Sequence, residues 1–420
     1  MKISQKARHA ILLGTLCFVS YLAVYIARNI LGVLTASMEA DGFTKEYIGN
    51  MSSLYLTFYA VGQLINGAIG NRIKAKYMMS VGLFLAGISN VMFPILSGVN
   101  WPNADLSPIV AMVTYATTGF FLSMIYGPMT KVVAESTELK YATRCSLGYT
   151  FSSFFGSPVA GWLAMALSWQ ATFAVSSAAL IGMAIICFVC FILFERKGIV
   201  KYPQRKKKGS DDGEGVEYTG IKGLFKHQIV KFAVISILTG IIRTSVVFWL
   251  TSYFFEYLGY TEPVSEFLFS AATLVMSFTA FIAIFAYERM GRNMHMAVLM
   301  FFSIAMTCFA ALYFIKIPFI NIILIVLGIM ASNSAASVLW SVYCPSLRDT
   351  GLVSGATGFL DFLSYMAAAI ANIIFPGAVK NIGWRNLILV WCGIMVIGVL
   401  ISLPYGKIFG KGKKKEACDG

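Results

Sequence analysis

Charge is what this sequence has least of. Lysine, arginine, aspartate and glutamate together make up 12% of its 420 residues, about half the share of an ordinary soluble domain. A chain so poor in charge cannot clothe a soluble surface. Histidine is scarcer still: His9, His227 and His295 are the only three, with no HExxH or comparable ligand spacing, so no metal centre is expected. A glycine-rich loop ending in Lys-Ser or Lys-Thr is also lacking, which removes the usual cradle for nucleotide phosphates. The chain is therefore not read as an enzyme or an ATP-driven pump, and no cofactor is expected. Of the eight cysteines, all but Cys418 lie in or beside apolar runs, and Cys187 with Cys190 forms a lone CxxC without a second pair. They read as small buried apolar residues and not as a disulfide framework.

Apolar residues fill the space that charge leaves, at 58% of the chain and a mean hydropathy of +0.75. Lipid offers the backbone no hydrogen-bond partner, so runs of about 20 such residues cross a bilayer as helices. Twelve runs are predicted, at 10–37, 49–71, 77–99, 107–131, 144–167, 170–194, 228–255, 265–287, 294–315, 319–344, 351–378 and 385–406. Cys145 to Phe194 has no charge at all and is divided at Leu167-Ser168-Trp169. The one long polar segment contains Gly-Ser-Asp-Asp-Gly-Glu-Gly and reads as a flexible linker. The expected organisation is an all-α membrane protein of twelve transmembrane helices in two pseudo-symmetric six-helix bundles: residues 1–195, a linker 196–226, residues 227–408, and a tail 409–420. Lys2, Lys6 and Arg8 precede the first run as in a secretory signal, but the run is too long for one.

The formal charge of +14 points to topology and not to nucleic acid. Lys45, Lys316, Lys380 and Arg385 lie on one side of the membrane, Arg28 and Arg243 within it, and the rest of the 33 lysines and arginines on the other side. By the positive-inside rule both termini are cytoplasmic, in a multi-pass protein of the cell's inner membrane. The run Arg205-Lys206-Lys207-Lys208 fits the same rule.

The halves repeat. Arg28 and Arg243 differ by 215 positions, as do Trp169 and Trp384; Gly42-Phe43-Thr44 and Gly259-Tyr260-Thr261 differ by 217, as do Arg72 and Arg289. A duplicated unit with a site at the midplane is a transporter plan. An arginine inside a span costs about 2.5 to 3.5 kcal/mol on insertion scales and marks function by default. Its planar fork donates two parallel hydrogen bonds to phosphate or carboxylate, so two at matching places predict a small anionic substrate. Tyr21, Tyr25, Arg28, Gly32 and Thr35 share one helix face, and Tyr55, Tyr59, Gln63 and Asn66 form a similar stripe on the next. Asp361 is the one acid deep in a span. It reads either as a proton carrier or as a fixed counter-ion to an arginine, and at most one arginine can be neutralised by it.

The turn Glu288-Arg289-Met290-Gly291-Arg292, with Asn71-Arg72 at the equivalent place after the second span, resembles the loop signature of the major facilitator superfamily. That resemblance implies a gating latch in these two loops. The segments Tyr21-x3-Tyr25-x2-Arg28, Gly42-Phe43-Thr44-x3-Ile48-Gly49 and Arg243-x5-Trp249-x3-Tyr253 resemble the organophosphate:phosphate antiporter family of glycerol-phosphate and hexose-phosphate transporters. The resemblance implies that Arg28 and Arg243 clamp a phosphate group, with Tyr21, Tyr25 and Trp249 nearby. It also marks two departures, since Gln63 stands where members often have lysine and Ser152 where they often have histidine, which makes this site less positive. The expected function is a secondary active transporter of an organophosphate or related organic anion, with inorganic phosphate as the expected exchange partner, working as a monomer in the lipid bilayer. Two alternatives stand beside it: a proton-coupled organic-anion symporter using Asp361, and a transporter-like membrane receptor for a phosphorylated ligand.

Overall fold

The computed structural model describes residues 4–70, 73–98, 106–200, 220–347 and 353–403. Asn71 and Arg72 of the first expected loop, most of the linker and the tail 409–420 lie outside the described residues. The rest is helical throughout. Helix α1 (Gln5–Val33) is extended by Thr35–Ala40 and followed by α2 (Lys45–Gly70), α3 (Ala75–Ser97), α4 (Leu106–Ser136), α5 (Leu139–Ala166) and α6 (Trp169–Arg196). A short helix, Gly220–Lys226, precedes α7, which runs through Ile229–Gly240, Ile241–Val246, Leu250–Ser252 and Tyr253–Tyr257. Next come α8 (Glu262–Met276 and Thr279–Arg289), α9 (Met294–Phe314) and α10 (Pro318–Val338, Leu339–Tyr343 and Cys344–Ser346). The path Val353–Ser402 is broken at Gly383, whose φ of 75° is not helical, into α11 (353–382) and α12 (384–402).

Local chemistry sets the ends. Ser4, Ser168 and Asn293 cap α1, α6 and α9 by accepting from the backbone N–H groups of Ala7, Ala171 and Met296, which satisfies donors that the first turn leaves free. The cap at Ser168 divides the uncharged stretch where its Leu-Ser-Trp turn was expected. Helices α2, α4 and α5 begin or end up to five residues beyond the apolar runs because Lys45, Lys140 and Glu135 continue the helix into the polar zone. Glu195 still belongs to α6 and its carboxylate accepts from Lys76 at 2.7 Å, while Ile199 and Val200 turn back and are buried.

The duplication is visible in the packing. In the first half α1 packs on α5, α2 on α4, α3 on α4 and α6; in the second α7 packs on α11, α8 on α10, α9 on α10 and α12. The halves meet along α2 with α11 and α5 with α8, two interfaces related by the same pseudo-twofold. Gly42 and Gly259, 217 positions apart, both have positive φ (95° and 73°) at the turns after α1 and α7. Glycine is required there because side chains disfavour that conformation. These turns mark the distal face, opposite the terminal face where α1 begins.

The two halves are not evenly closed along their length. The outer part of α8, Glu262–Met276, lies along α5, whereas its inner part, Thr279–Arg289, packs chiefly on α10 of its own half. At the distal end, Asn372 of α11 accepts from Ser245 of α7 and donates to Ser52 of α2 at 2.8 Å. Contact between halves is therefore concentrated toward the distal face.

Candidate functional site

Arg28 sits on α1 about one and a half turns before its distal end at Val33, and Arg243 lies within the wide turn Ile241–Val246 of α7, where the backbone bonds i to i+5. Such wide turns recur at functional sites because they re-aim side chains. The two guanidinium groups converge on one ring. Arg28 lies 4.6 Å from the centroid of Tyr365 and Arg243 5.8 Å from it. Tyr59, at 4.7 Å, and Tyr25, at 5.2 Å, close the cage around Arg28. Tyr59 in turn meets Tyr365 edge-on across the interface between halves, with centroids 5.0 Å apart. Cation–π attraction of about 0.5 to 2 kcal/mol per contact offsets part of the cost of holding Arg28 in the membrane.

No carboxylate lies within ion-pair distance of either arginine among the described residues. Arg28 Nη1 is buried with no hydrogen-bond partner. Asp361 on α11 interacts electrostatically with Arg243 first and with Arg28 second, and the arginines also act on one another. The structure thus brings Arg28, Arg243, Asp361 and Tyr25 into one cluster, and Tyr21 into its second layer, edge-on to Tyr25 at 4.9 Å and stacked on Tyr126 at 5.6 Å.

The other expected residues are placed differently. Ser152 is buried and donates to the Tyr149 carbonyl of its own helix at 2.9 Å, so its hydroxyl is already used. Gln63 is half-buried one turn beyond Tyr59. Trp249 is fully buried, stacked on Phe375 with centroids 5.1 Å apart and planes 2° apart, in an aromatic core between α7 and α11. In the second loop, Gly291 and Arg292 take successive left-handed conformations, with φ of 66° and 58°. The Arg289 guanidinium lies 5.4 Å from the Phe285 ring, and Glu288, Arg289, Gly291 and Arg292 are all exposed.

A second polar cluster at the distal face was not foreseen in the sequence. Trp169 donates to Asp41 at 2.6 Å, and Trp384 donates to Glu256 at 2.9 Å; both donors and both acceptors are 215 positions apart. The second copy has more partners. Glu256 also forms an ion pair with Lys45 of the other half, whose ammonium lies 4.9 Å from the Trp384 ring. Ser252 donates to Glu39 at 2.8 Å and Ser37 to Glu266, again between halves. Glu39 lies beyond the end of the α1 span, where burial first and its hydrogen bond with Glu256 second push its carboxyl up to about 7. Burial alone would raise Glu256, but hydrogen bonds from Glu39, Lys45 and Trp384 outweigh it and hold that carboxyl below its ordinary range. Of the two carboxyls, Glu39 holds a proton the more readily.

Comparison with known proteins gives the following likenesses. The pattern of the Major Facilitator Superfamily matches residues 17–371. The chain is 20% identical to the glycerol-3-phosphate transporter of Bacillus subtilis (strain 168) over 425 residues, 93% of this chain and 91% of that protein. A 77-residue stretch, 18% of this chain and 17% of the other, is 27% identical to the membrane sensor protein UhpC of Salmonella typhimurium (strain LT2). The crystal structure of a bacterial homolog of the human lysosomal transporter Spinster, inward-facing and occupied, superposes with a TM-score of 0.74 at 12% identity, covering 95% of this chain and 97% of that one.

Proposed function

The chain belongs to the Major Facilitator Superfamily, and from that premise we propose that it is a secondary active transporter that carries a phosphate-bearing organic anion by alternating access, in exchange for inorganic phosphate. The single observation that carries this reading is the pair of arginines, one from each half, sharing the Tyr365 ring with no carboxylate partner within ion-pair distance among the described residues. The B. subtilis relative, a glycerol-3-phosphate transporter, supports the substrate class.

Arg28 and Arg243 each present a fork to the anion, and Tyr365 fixes their separation. A phosphate bound to both forks draws the halves together, so the loaded carrier can rock where the empty one, with two unmatched cations, resists closure. The tyrosines hold Arg28 in place without neutralising it. The distal network closes one side of this path. With the termini in the cytoplasm by the positive-inside rule, that side is the outer one, and the site faces the cytoplasm.

Proton coupling is the second reading. It rests on Asp361, which feels both arginines yet forms no ion pair of 4.0 Å or less with either. A carboxyl so placed can take a proton when the bound anion neutralises the arginines and release it when the anion leaves them uncompensated, so that proton and anion travel together. Counterflow in proteoliposomes separates the readings. Uptake of labelled phosphate driven by unlabelled phosphate inside supports exchange. Uptake of an organic anion driven only by external acid supports symport, and tight binding without flux supports a receptor.

A further inference from the structure

A small cavity adjoins the arginine cluster on its distal side, and its chemistry restricts what the anion can be attached to. The placement follows from chain direction. On α1 the residues after Arg28, and on α7 those after Arg243, line it together with the part of α2 that precedes Tyr59. Its apolar wall consists of Leu31, Leu56, Val247, Phe248 and Phe269. Three of these, Leu31, Leu56 and Phe269, are almost fully buried.

The polar side chains at the wall are Arg28, Asn29, Ser52, Tyr55, Tyr115 and Thr244. Asn29 uses its amide N–H to donate to the Tyr25 carbonyl at 2.7 Å. Ser52 accepts from Asn372 at 2.8 Å. Two polar atoms at this wall are buried with no hydrogen-bond partner, Arg28 Nη1 and Tyr55 Oη. The Tyr55 ring cannot swing away to find one, because it is stacked on Tyr115 with centroids 5.3 Å apart.

We infer that this cavity receives the organic body of the substrate, and that the substrate is a short phosphomonoester or phosphonate with an apolar chain and one hydroxyl or carbonyl directed at Tyr55, in preference to a polyhydroxylated sugar phosphate. The inference rests on the reading above that the anion sits at Arg28 and Arg243. Leu31 follows Arg28 by three residues and Phe248 follows Arg243 by five, a rise of about 4 to 8 Å at about 1.5 Å per residue, which matches a chain of about three to five carbons. A hydroxyl placed against the Leu31, Leu56, Val247, Phe248 and Phe269 side finds no partner there, and an apolar pocket discriminates against an added hydroxyl by about 10²-fold. A hexose phosphate would bring several.

The test uses purified full-length protein in two assays: thermal stabilisation by ligand, and competition against labelled-phosphate exchange in proteoliposomes. The panel is propylphosphonate, 3-hydroxypropylphosphonate, glycerol 3-phosphate and glucose 6-phosphate. The two phosphonates are expected to act at concentrations at least about 10²-fold below glucose 6-phosphate. In Tyr55→Phe the advantage of 3-hydroxypropylphosphonate over propylphosphonate should fall by about tenfold. In Phe248→Ala the limit on chain length should relax, so that hexylphosphonate gains relative to propylphosphonate. If phosphate exchanges well and glucose 6-phosphate equals or beats the phosphonates, this inference is overturned while the transport reading stands. If no phosphate exchanges but stabilisation still ranks the phosphonates first, the exchange reading falls and the cavity assignment holds. A Tyr55→Phe protein that weakens both phosphonates equally would also overturn it, because Tyr55 would then be supporting the fold and not reading a hydroxyl.

Discussion

Replacing Glu39 by glutamine tests how the distal closure responds to protons. In the closed arrangement Glu39 meets Glu256, Ser252 and Lys45, with Trp384 behind Glu256 and Asp41 held separately by Trp169. Burial raises its carboxyl from 4.5 to about 7; separating the halves returns it to water and to its ordinary value. The closed state therefore binds the proton more tightly. Its extra stability is complete below pH 4.5 and is lost as the pH rises through 7. Glu256, held low, contributes in the opposite sense, but its change falls below pH 4.5, outside the working range. A rise from 4.5 to about 7 corresponds to on the order of 3 kcal/mol. If a third survives solvent screening at the mouth, the population of the closed state still changes about fivefold. Nitroxide labels at positions 46 and 380, both exposed on the distal face in opposite halves, would read this as a distance distribution. Between pH 5.5 and 8.5 the unaltered protein should move from the short to the long distance. Glu39→Gln, which keeps a hydrogen-bond donor at every pH, should remain at the short one. A distribution that ignores pH in the parent, or one that shifts equally in Glu39→Gln, would refute the assignment.

Other outcomes follow from single contacts. Gly161 of α5 lies so close to α8 that an added Cβ would fall 1.8 Å from Ser270 Oγ and 2.9 Å from its Cβ. Gly161→Ala should weaken distal closure by about 1 to 3 kcal/mol, and Ser270→Gly should restore it, as measured by the same label pair. Tyr365→Leu removes the ring shared by both arginines and should weaken phosphate binding about tenfold, at roughly 0.5 to 2 kcal/mol for a cation–π contact; Tyr365→Phe should retain most of it in an equilibrium binding assay. Asp361→Asn should abolish uptake driven by an acid gradient yet spare anion exchange. Loss of both would mark Asp361 as a fixed counter-ion.

Much of the architecture could be read from the chain because lipid imposes a simple rule: each long apolar run must be a helix. The repeat was legible for a similar reason, since single charges such as Arg28 and Arg243 stand out against apolar surroundings. The tyrosine cage was harder. Tyr59 and Tyr365 lie on different halves, and an aromatic residue in an apolar helix carries no sign of whether it faces lipid, core or cation. Ser152 and Trp249 illustrate the converse, because a helical serine can spend its hydroxyl on its own backbone and a tryptophan near an arginine in sequence can point into packing. The distal cluster had a signal that went unused. Trp169 and Trp384 repeat at 215 positions, and so do their acceptors Asp41 and Glu256. Pairing the two repeats would have predicted both indole hydrogen bonds, although not the cross-half contact of Glu256 with Lys45, which depends on how the halves lean together.

The central claim is that one arginine from each half holds one phosphate group. Its most direct test is phosphate self-exchange in proteoliposomes carrying the parent protein, Arg28→Lys or Arg243→Lys at matched protein density. An ammonium keeps the charge but loses the two-pronged donor, so each variant is expected to lose exchange by at least tenfold. Full exchange in both lysine variants would contradict the clamp.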